Sequence, residues 1–140
     1  MLQAPLFPPE STWRPPASLP TFDKVIAVDL ETCDPDLKLY GPSYKRGTGK
    51  VVGIAIADER QEVYLPIDHF GGDNIDKNIV LAYVKQVLSN STEVLFANAA
   101  YDLGWLETLG LGVSCPVRDV QIAEALIDEE QFSYLSLIHI

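Results

Sequence analysis

The sequence predicts an α/β fold on a mixed five-stranded sheet, and three observations carry that prediction. Short apolar runs and amphipathic segments follow one another in the order βββαβαβα. The first three runs have no amphipathic helix between them and read as an antiparallel meander, whereas the later runs are each reached through a helix, as in right-handed parallel crossovers. Finally, two acidic signatures, Asp29-Leu30-Glu31-Thr32 and Asn98-Ala99-Ala100-Tyr101-Asp102, sit at the carboxyl ends of apolar runs. That is where open α/β sheets place their sites.

The elements follow in order. Residues 1–21 hold six of the ten prolines and read as an extended arm, with Phe7 and Trp13 available to pin it to the domain. The domain occupies residues 22–134. Val25–Leu30 is a continuous apolar run, expected to be a central strand buried on both faces. Residues 34–49 combine Pro, Gly and charge and read as a loop. Val51–Ala57 is the second strand, Asp58–Gln61 a turn and Glu62–Pro66 the third strand. A helix is expected from Ile75 to Leu88, with Ile79, Val80, Tyr83, Val84, Val87 and Leu88 on one face. Val94–Ala97 is the fourth strand. Ala100–Leu109 is a helix with Leu103, Leu106 and Leu109 inward and Gly110 as its stop. Val117 lies in a short fifth strand, and Asp119 caps a last helix carrying Val120, Ala123, Leu126 and Ile127.

Bulk properties narrow the function. At 140 residues and 47% apolar, the chain is one domain, or a piece of one, with a real core. The longest apolar stretch, residues 51–57, is far short of the ~20 residues of a membrane span, and no signal peptide is visible. Cys33 and Cys115 are isolated thiols, which suits a reduced, cytoplasmic setting. The net charge of −10 argues against a general nucleic-acid binder. Four of the ten basic residues, Lys38, Lys45, Arg46 and Lys50, nevertheless cluster after the first acidic motif, where they form either a solvated loop or a strip that touches phosphates.

The acids carry the chemistry. Asp29 and Glu31 lie two apart on a strand, so both leave the same face ~6.6 Å apart while Leu30 turns into the packing. Asp102 falls in the first turn of a helix. If the first and fourth strands are parallel neighbours, all three carboxylates meet at one sheet end. Such carboxylates are costly to bury without a positive partner. Hard oxygen donors in a hydrated site suit Mg²⁺ or Mn²⁺, and His69 and His139 are too isolated to offer a zinc alternative. Two ions ~3.5–4 Å apart can activate water and stabilise the leaving oxygen of a phosphodiester. Asp29 is placed to bridge both ions, with Glu31 and Asp102 completing the set. Thr32 and Asn98 are expected to touch substrate, and Lys45 and Arg46 are the basic candidates for phosphate contact.

On these motifs the chain resembles the 3′–5′ exonuclease domain of the DEDD superfamily, with a ribonuclease H-like fold, and within it the proofreading domains of phage and bacterial family A DNA polymerases. Val28-Asp29-Leu30-Glu31-Thr32 matches the first motif, and Asn98 to Asp102 with Leu103 the second. Arg118-Asp119-Val120 and Ile127-Asp128-Glu129-Glu130 resemble the steps that follow. The resemblance implies Asp29, Glu31 and Asp102 as catalytic metal ligands for two Mg²⁺ or Mn²⁺ ions. It also implies substrate contacts at Leu30, Thr32, Asn98 and Leu103, a single-stranded DNA 3′ end as substrate and a polymerase domain as partner in the full-length protein.

A third motif, Tyr-x3-Asp or His-x4-Asp, is also implied, and neither follows Asp119: Tyr134 meets Ile138 at that spacing. Residues 135–140, Leu-Ser-Leu-Ile-His-Ile, match the translation of a transposon end used in sequencing libraries and are read as non-native read-through. The expectation is a nuclease parent and a nearly inactive 140-residue product. The competing readings are a free-standing DEDD ribonuclease and a catalytically degenerate nucleic-acid-binding module.

Overall fold

The computed structural model describes residues 13–70 and 72–127. Residues 1–12 of the expected arm, the Asp128-Glu129-Glu130 step, Tyr134 and the suspected read-through all lie outside the described residues. The elements are β1 (Val25–Cys33), α1 (Leu37–Tyr40), β2 (Lys50–Ala57), β3 (Glu62–Pro66), α2 (Lys77–Asn90), β4 (Glu93–Phe96), α3 (Ala99–Thr108), β5 (Val117–Asp119) and α4 (Val120–Ile127). The sheet order is β3-β2-β1-β4-β5. β1, β2 and β3 pair antiparallel, and β1–β4 and β4–β5 pair parallel. The five-stranded mixed sheet stands as expected, with one addition. The segment 34–49 contains α1, a single turn whose C-terminal Gly41 has φ +70°.

One face of the sheet is packed. Ile26, Val28 and Leu30 of β1 join Ile54, Ile56, Leu65, Val94 and Phe96, and are covered by Val80, Val84 and Leu88 of α2 and Trp105 and Leu106 of α3. The other face carries Val25, Ala27, Asp29 and Glu31, all exposed among the described residues. The two-sided burial expected of β1 is therefore corrected. Its run looks continuous only because Val25 and Ala27, on the open face, are themselves apolar.

Local chemistry sets the helix boundaries. The Asp76 carboxylate accepts from the N–H groups of Asn78 at 2.9 Å and Ile79 at 3.1 Å, so α2 starts at Lys77 rather than Ile75. Val80, Val84 and Leu88 recur at four-residue intervals and are buried, but Ile79 is 56% exposed, contrary to the expected stripe. It precedes Val80 by one residue, which rotates it about 100° from the buried row and onto the solvent side. At the end of α3, Leu111 N–H reaches the Leu106 carbonyl and Gly110 N–H the Glu107 carbonyl, both at 3.0 Å, with Gly110 at φ +70°. These two bonds close the helix where the glycine predicted it would stop.

The arm is tied down where it is described. Leu19 and Phe22 pack on the core, Tyr83 donates to the Pro20 carbonyl at 2.7 Å and Trp13 meets the Tyr64 ring edge-on at 5.9 Å. Burial pushes the Tyr83 phenol up to about 12, so this donor stays protonated at any ordinary pH.

Candidate active site

The parallel pairing of β1 with β4 covers only Val25–Ala27. Beyond it the two strands part, and a cleft of about 310 Å³ opens between them, lined by residues 29–32 of β1 and by Ala97, Asn98, Tyr101, Asp102 and Gln121. A register shift in the β1–β2 ladder between Glu31 and Thr32 helps re-aim the strand end here.

Asn98 makes the turn from β4 into α3 with φ 74° and ψ 61°, the left-handed region that asparagine tolerates better than most residues. Its side chain makes no capping bond. That duty falls to Asp119 at the end of β5, whose carboxylate accepts from Asn98 N at 3.1 Å, Ala99 N at 2.8 Å and Gln121 N at 2.9 Å. One acid thus caps the starts of both α3 and α4. Burial pushes its carboxyl upward, but the backbone N–H bonds outweigh that and hold it below the usual range.

Asp102, in the first turn of α3, is only 2% exposed. Burial first, and then the charge of Asp29, raise its carboxyl to about 7, against the opposing effect of the Leu30 N–H that it accepts. Asp29 is raised as well, by burial and then by Glu31. Carboxylates held above their usual range by burial and by a neighbouring acid call for cations or protons. Across the cleft Thr32 Oγ1 and the Tyr101 hydroxyl are hydrogen-bonded at 2.6 Å.

The structure thus brings Asp29, Leu30, Glu31, Thr32, Asn98 and Asp102 into one cleft. It leaves three expected contacts outside that lining. Leu103 packs against the core. Lys45 and Arg46 lie on the loop after α1, and the Arg46 guanidinium donates to the Tyr40 and Gly41 carbonyls at 2.8 Å each and covers the Tyr40 ring. Tyr101 and Gln121 line the cleft but were not singled out from sequence. Tyr101 stands next to Asp102 in the second signature, a signal that was available.

The donor set is all carboxylate oxygen. Among the described residues no three Asp, Glu, His or Cys side chains close around one point. The arrangement therefore fits a hydrated Mg²⁺-like ion, which keeps several waters and takes one or two carboxylates, better than a closed protein cage.

Comparison with known proteins agrees with this architecture. Brucella melitensis NrnC with bound Mg²⁺ superposes with a TM-score of 0.55 at 20% identity over 83% of this chain and 53% of its own. The same protein bound to pGG gives 0.51 at 17% over 83% and 52%, and the apo form of a nuclease gives 0.52 at 16% over 79% and 46%. The fold is the ribonuclease H-like fold of DEDD nucleases. The 3′–5′ exonuclease family of DNA polymerase A type matches residues 16–139, and this chain belongs to that family. A DNA-directed DNA polymerase of Pseudomonas phage M6 is 38% identical over 95% of this chain, which spans 22% of that polymerase.

Proposed function

We propose that this chain is the proofreading 3′–5′ exonuclease domain of a DNA polymerase, hydrolysing 3′-terminal phosphodiesters of single-stranded DNA with divalent cations. The observation that carries the reading is the meeting of Asp29 and Glu31 with Asp102 in one cleft, where burial and a neighbouring acid hold the Asp29 and Asp102 carboxyls above their usual range. The family match and the NrnC structure with bound Mg²⁺ support it.

Asp29, Glu31 and Asp102 would hold Mg²⁺ or Mn²⁺. Two such ions, when bound, supply water activation and stabilisation of the leaving oxygen. The chain's own groups do the rest. Asp102 is buried in the cleft wall, where its low-dielectric surroundings strengthen its pull on a cation, while Asp29 and Glu31 face the open side. The Thr32–Tyr101 hydroxyl pair and the exposed Asn98 amide offer hydrogen bonds to the terminal nucleotide, and Leu30 lends backbone to the same wall. The polymerase domain of a longer protein is the proposed partner, in a bacterial or phage-infected cell. Among the described residues no helix is long and apolar enough to cross a membrane.

The 140-residue sequence spells no Tyr-x3-Asp or His-x4-Asp after Asp119, so this chain by itself should turn over orders of magnitude more slowly than one that supplies the motif. The test is a 5′-labelled single-stranded DNA oligonucleotide and its RNA counterpart, each with Mg²⁺, given to this chain and to one extended through such a motif. A ladder shortening from the 3′ end of the DNA by the extended form, lost in Asp29→Ala, is expected. RNA cleaved in preference to DNA would move the reading to a ribonuclease, and no cleavage of either by the extended form would overturn the nuclease reading.

A further inference from the structure

The meander holds a second polar constellation on the same open face as Asp29 and Glu31. Tyr64 on β3 is in register with Ala55 on β2, and Ala55 with Asp29 on β1; in the next row Pro66, Gly53 and Glu31 are in register. The Tyr64 side chain leans out of its own row to lie over Gly53. A Cβ at position 53 would collide with the Tyr64 hydroxyl oxygen and sit 2.7 Å from its Cε2. The missing side chain at Gly53 therefore provides the space that the phenol fills, and Gly53 is the register partner of Glu31. Neighbouring strands are ~4.8 Å apart, which leaves the hydroxyl about one strand spacing from the Glu31 backbone. Burial, and after it the charge of Glu31, push the Tyr64 phenol above its ordinary range.

The hydroxyl is also held. It is hydrogen-bonded to Nε2 of His69, whose ring meets the Tyr64 ring edge-on at 5.8 Å. The His69 backbone is fixed in turn by Asn74: His69 N–H donates to Asn74 Oδ1 at 2.8 Å, and Asn74 Nδ2 donates to the His69 carbonyl at 3.0 Å.

We propose that Tyr64 is a positioning residue for Glu31, its hydroxyl anchored by His69 and admitted by Gly53 so that it orients the Glu31 carboxylate toward the cleft. The inference rests on the reading of Asp29, Glu31 and Asp102 as cation-binding acids. With His69 in its Nε2–H tautomer, the imidazole donates to the phenolic oxygen and the phenol proton is left for the carboxylate. Removing a partner that orients a ligating group typically costs about 10–100-fold in metal affinity.

The experiment measures Mn²⁺ affinity of the 140-residue chain by electron paramagnetic resonance of the free ion. Tyr64→Phe keeps the ring over Gly53 and against Trp13, and His69→Ala, at an exposed position, keeps the hydroxyl but frees it. Each should weaken Mn²⁺ binding about tenfold with thermal unfolding of the metal-free chain unchanged. The Tyr64→Phe effect should fall below about twofold in a Glu31→Gln background, which a merely structural role would not produce. Unchanged affinity in Tyr64→Phe and His69→Ala, with binding lost in Asp29→Ala, overturns the inference and leaves the metal reading standing. Affinity indifferent to Asp29→Ala and Glu31→Gln overturns both.

Discussion

The backbone N–H of Leu30 donates to Oδ1 of Asp102 across 3.2 Å, a buried bond between residues 72 apart in sequence. The β1–β4 pairing covers only Val25–Ala27, so the Leu30 N–H lies beyond it and meets this carboxylate instead of a strand carbonyl. Asp102 is thereby fastened to the strand that carries Asp29 and Glu31.

That fastened acid makes stability depend on pH. Its carboxyl lies at about 7 in the fold, above its unfolded value, so the folded state binds more protons than the unfolded between pH ~4 and ~7. The metal-free chain should therefore lose on the order of 2–4 kcal/mol as pH rises through that window. Asp102→Asn keeps an oxygen for Leu30 and should flatten the slope. Mg²⁺ should restore stability to the parent chain, most strongly above pH 7, and not to the variant. Thermal melts at several pH values, with and without Mg²⁺, check all of this.

Asp119→Ala removes the acceptor of three backbone N–H groups at once. Urea denaturation should show a loss of about 1–3 kcal/mol, and Asp119→Asn a smaller one. Because backbone bonds hold this carboxyl low, its contribution is present above the usual carboxylate range and fades as pH falls through its depressed value. An unchanged midpoint in Asp119→Ala would remove the double cap from the account.

Arg46 tests the basic strip. Its guanidinium is engaged with the Tyr40 and Gly41 carbonyls, so Arg46→Ala should change the affinity for a fluorescent single-stranded oligonucleotide by less than about twofold while lowering stability by about 1 kcal/mol. A tenfold loss in anisotropy titrations would return Arg46 to the substrate.

Two loop glycines should behave differently. A Cβ on Gly49 would meet Ser43 Oγ at 2.5 Å, Trp105 Cη2 at 2.8 Å and the Cys33 carbonyl oxygen at 2.9 Å. Gly49→Ala should cost about 1–3 kcal/mol by overpacking. Gly47 has open space but φ +74°, so Gly47→Ala should cost only the backbone strain, about 1–2 kcal/mol. Melting temperatures of the two variants give the comparison.

Much of this was legible in the sequence, for local reasons. Apolar runs, turn residues and a glycine stop gave the meander, β4 and α3, and the acidic signatures named the cleft because a strand end and a helix start each place their acid without help from elsewhere. What escaped depends on partners distant in sequence. Nothing near Val25 or Ala27 says that the described elements leave their face open. Nothing near Asp119 says that it will cap α3 twenty residues earlier as well as its own helix. Arg46 read as a phosphate contact because its pairing with two loop carbonyls exists only once α1 has turned. Tyr64 and Gly53 gave no separate signal, since only sheet register brings them beside Glu31.

The most direct test of the central claim is a Mn²⁺ titration of the isotope-labelled chain followed by NMR line broadening. A single cation-binding cleft formed by β1 and α3 predicts that amides of residues 29–32 and 98–102 broaden first, at substoichiometric Mn²⁺, and that Asp102→Asn weakens the effect. Broadening that begins instead at Asp58, Asp68 or Asp73, away from the cleft, or that spreads evenly over the acidic surface, would contradict it.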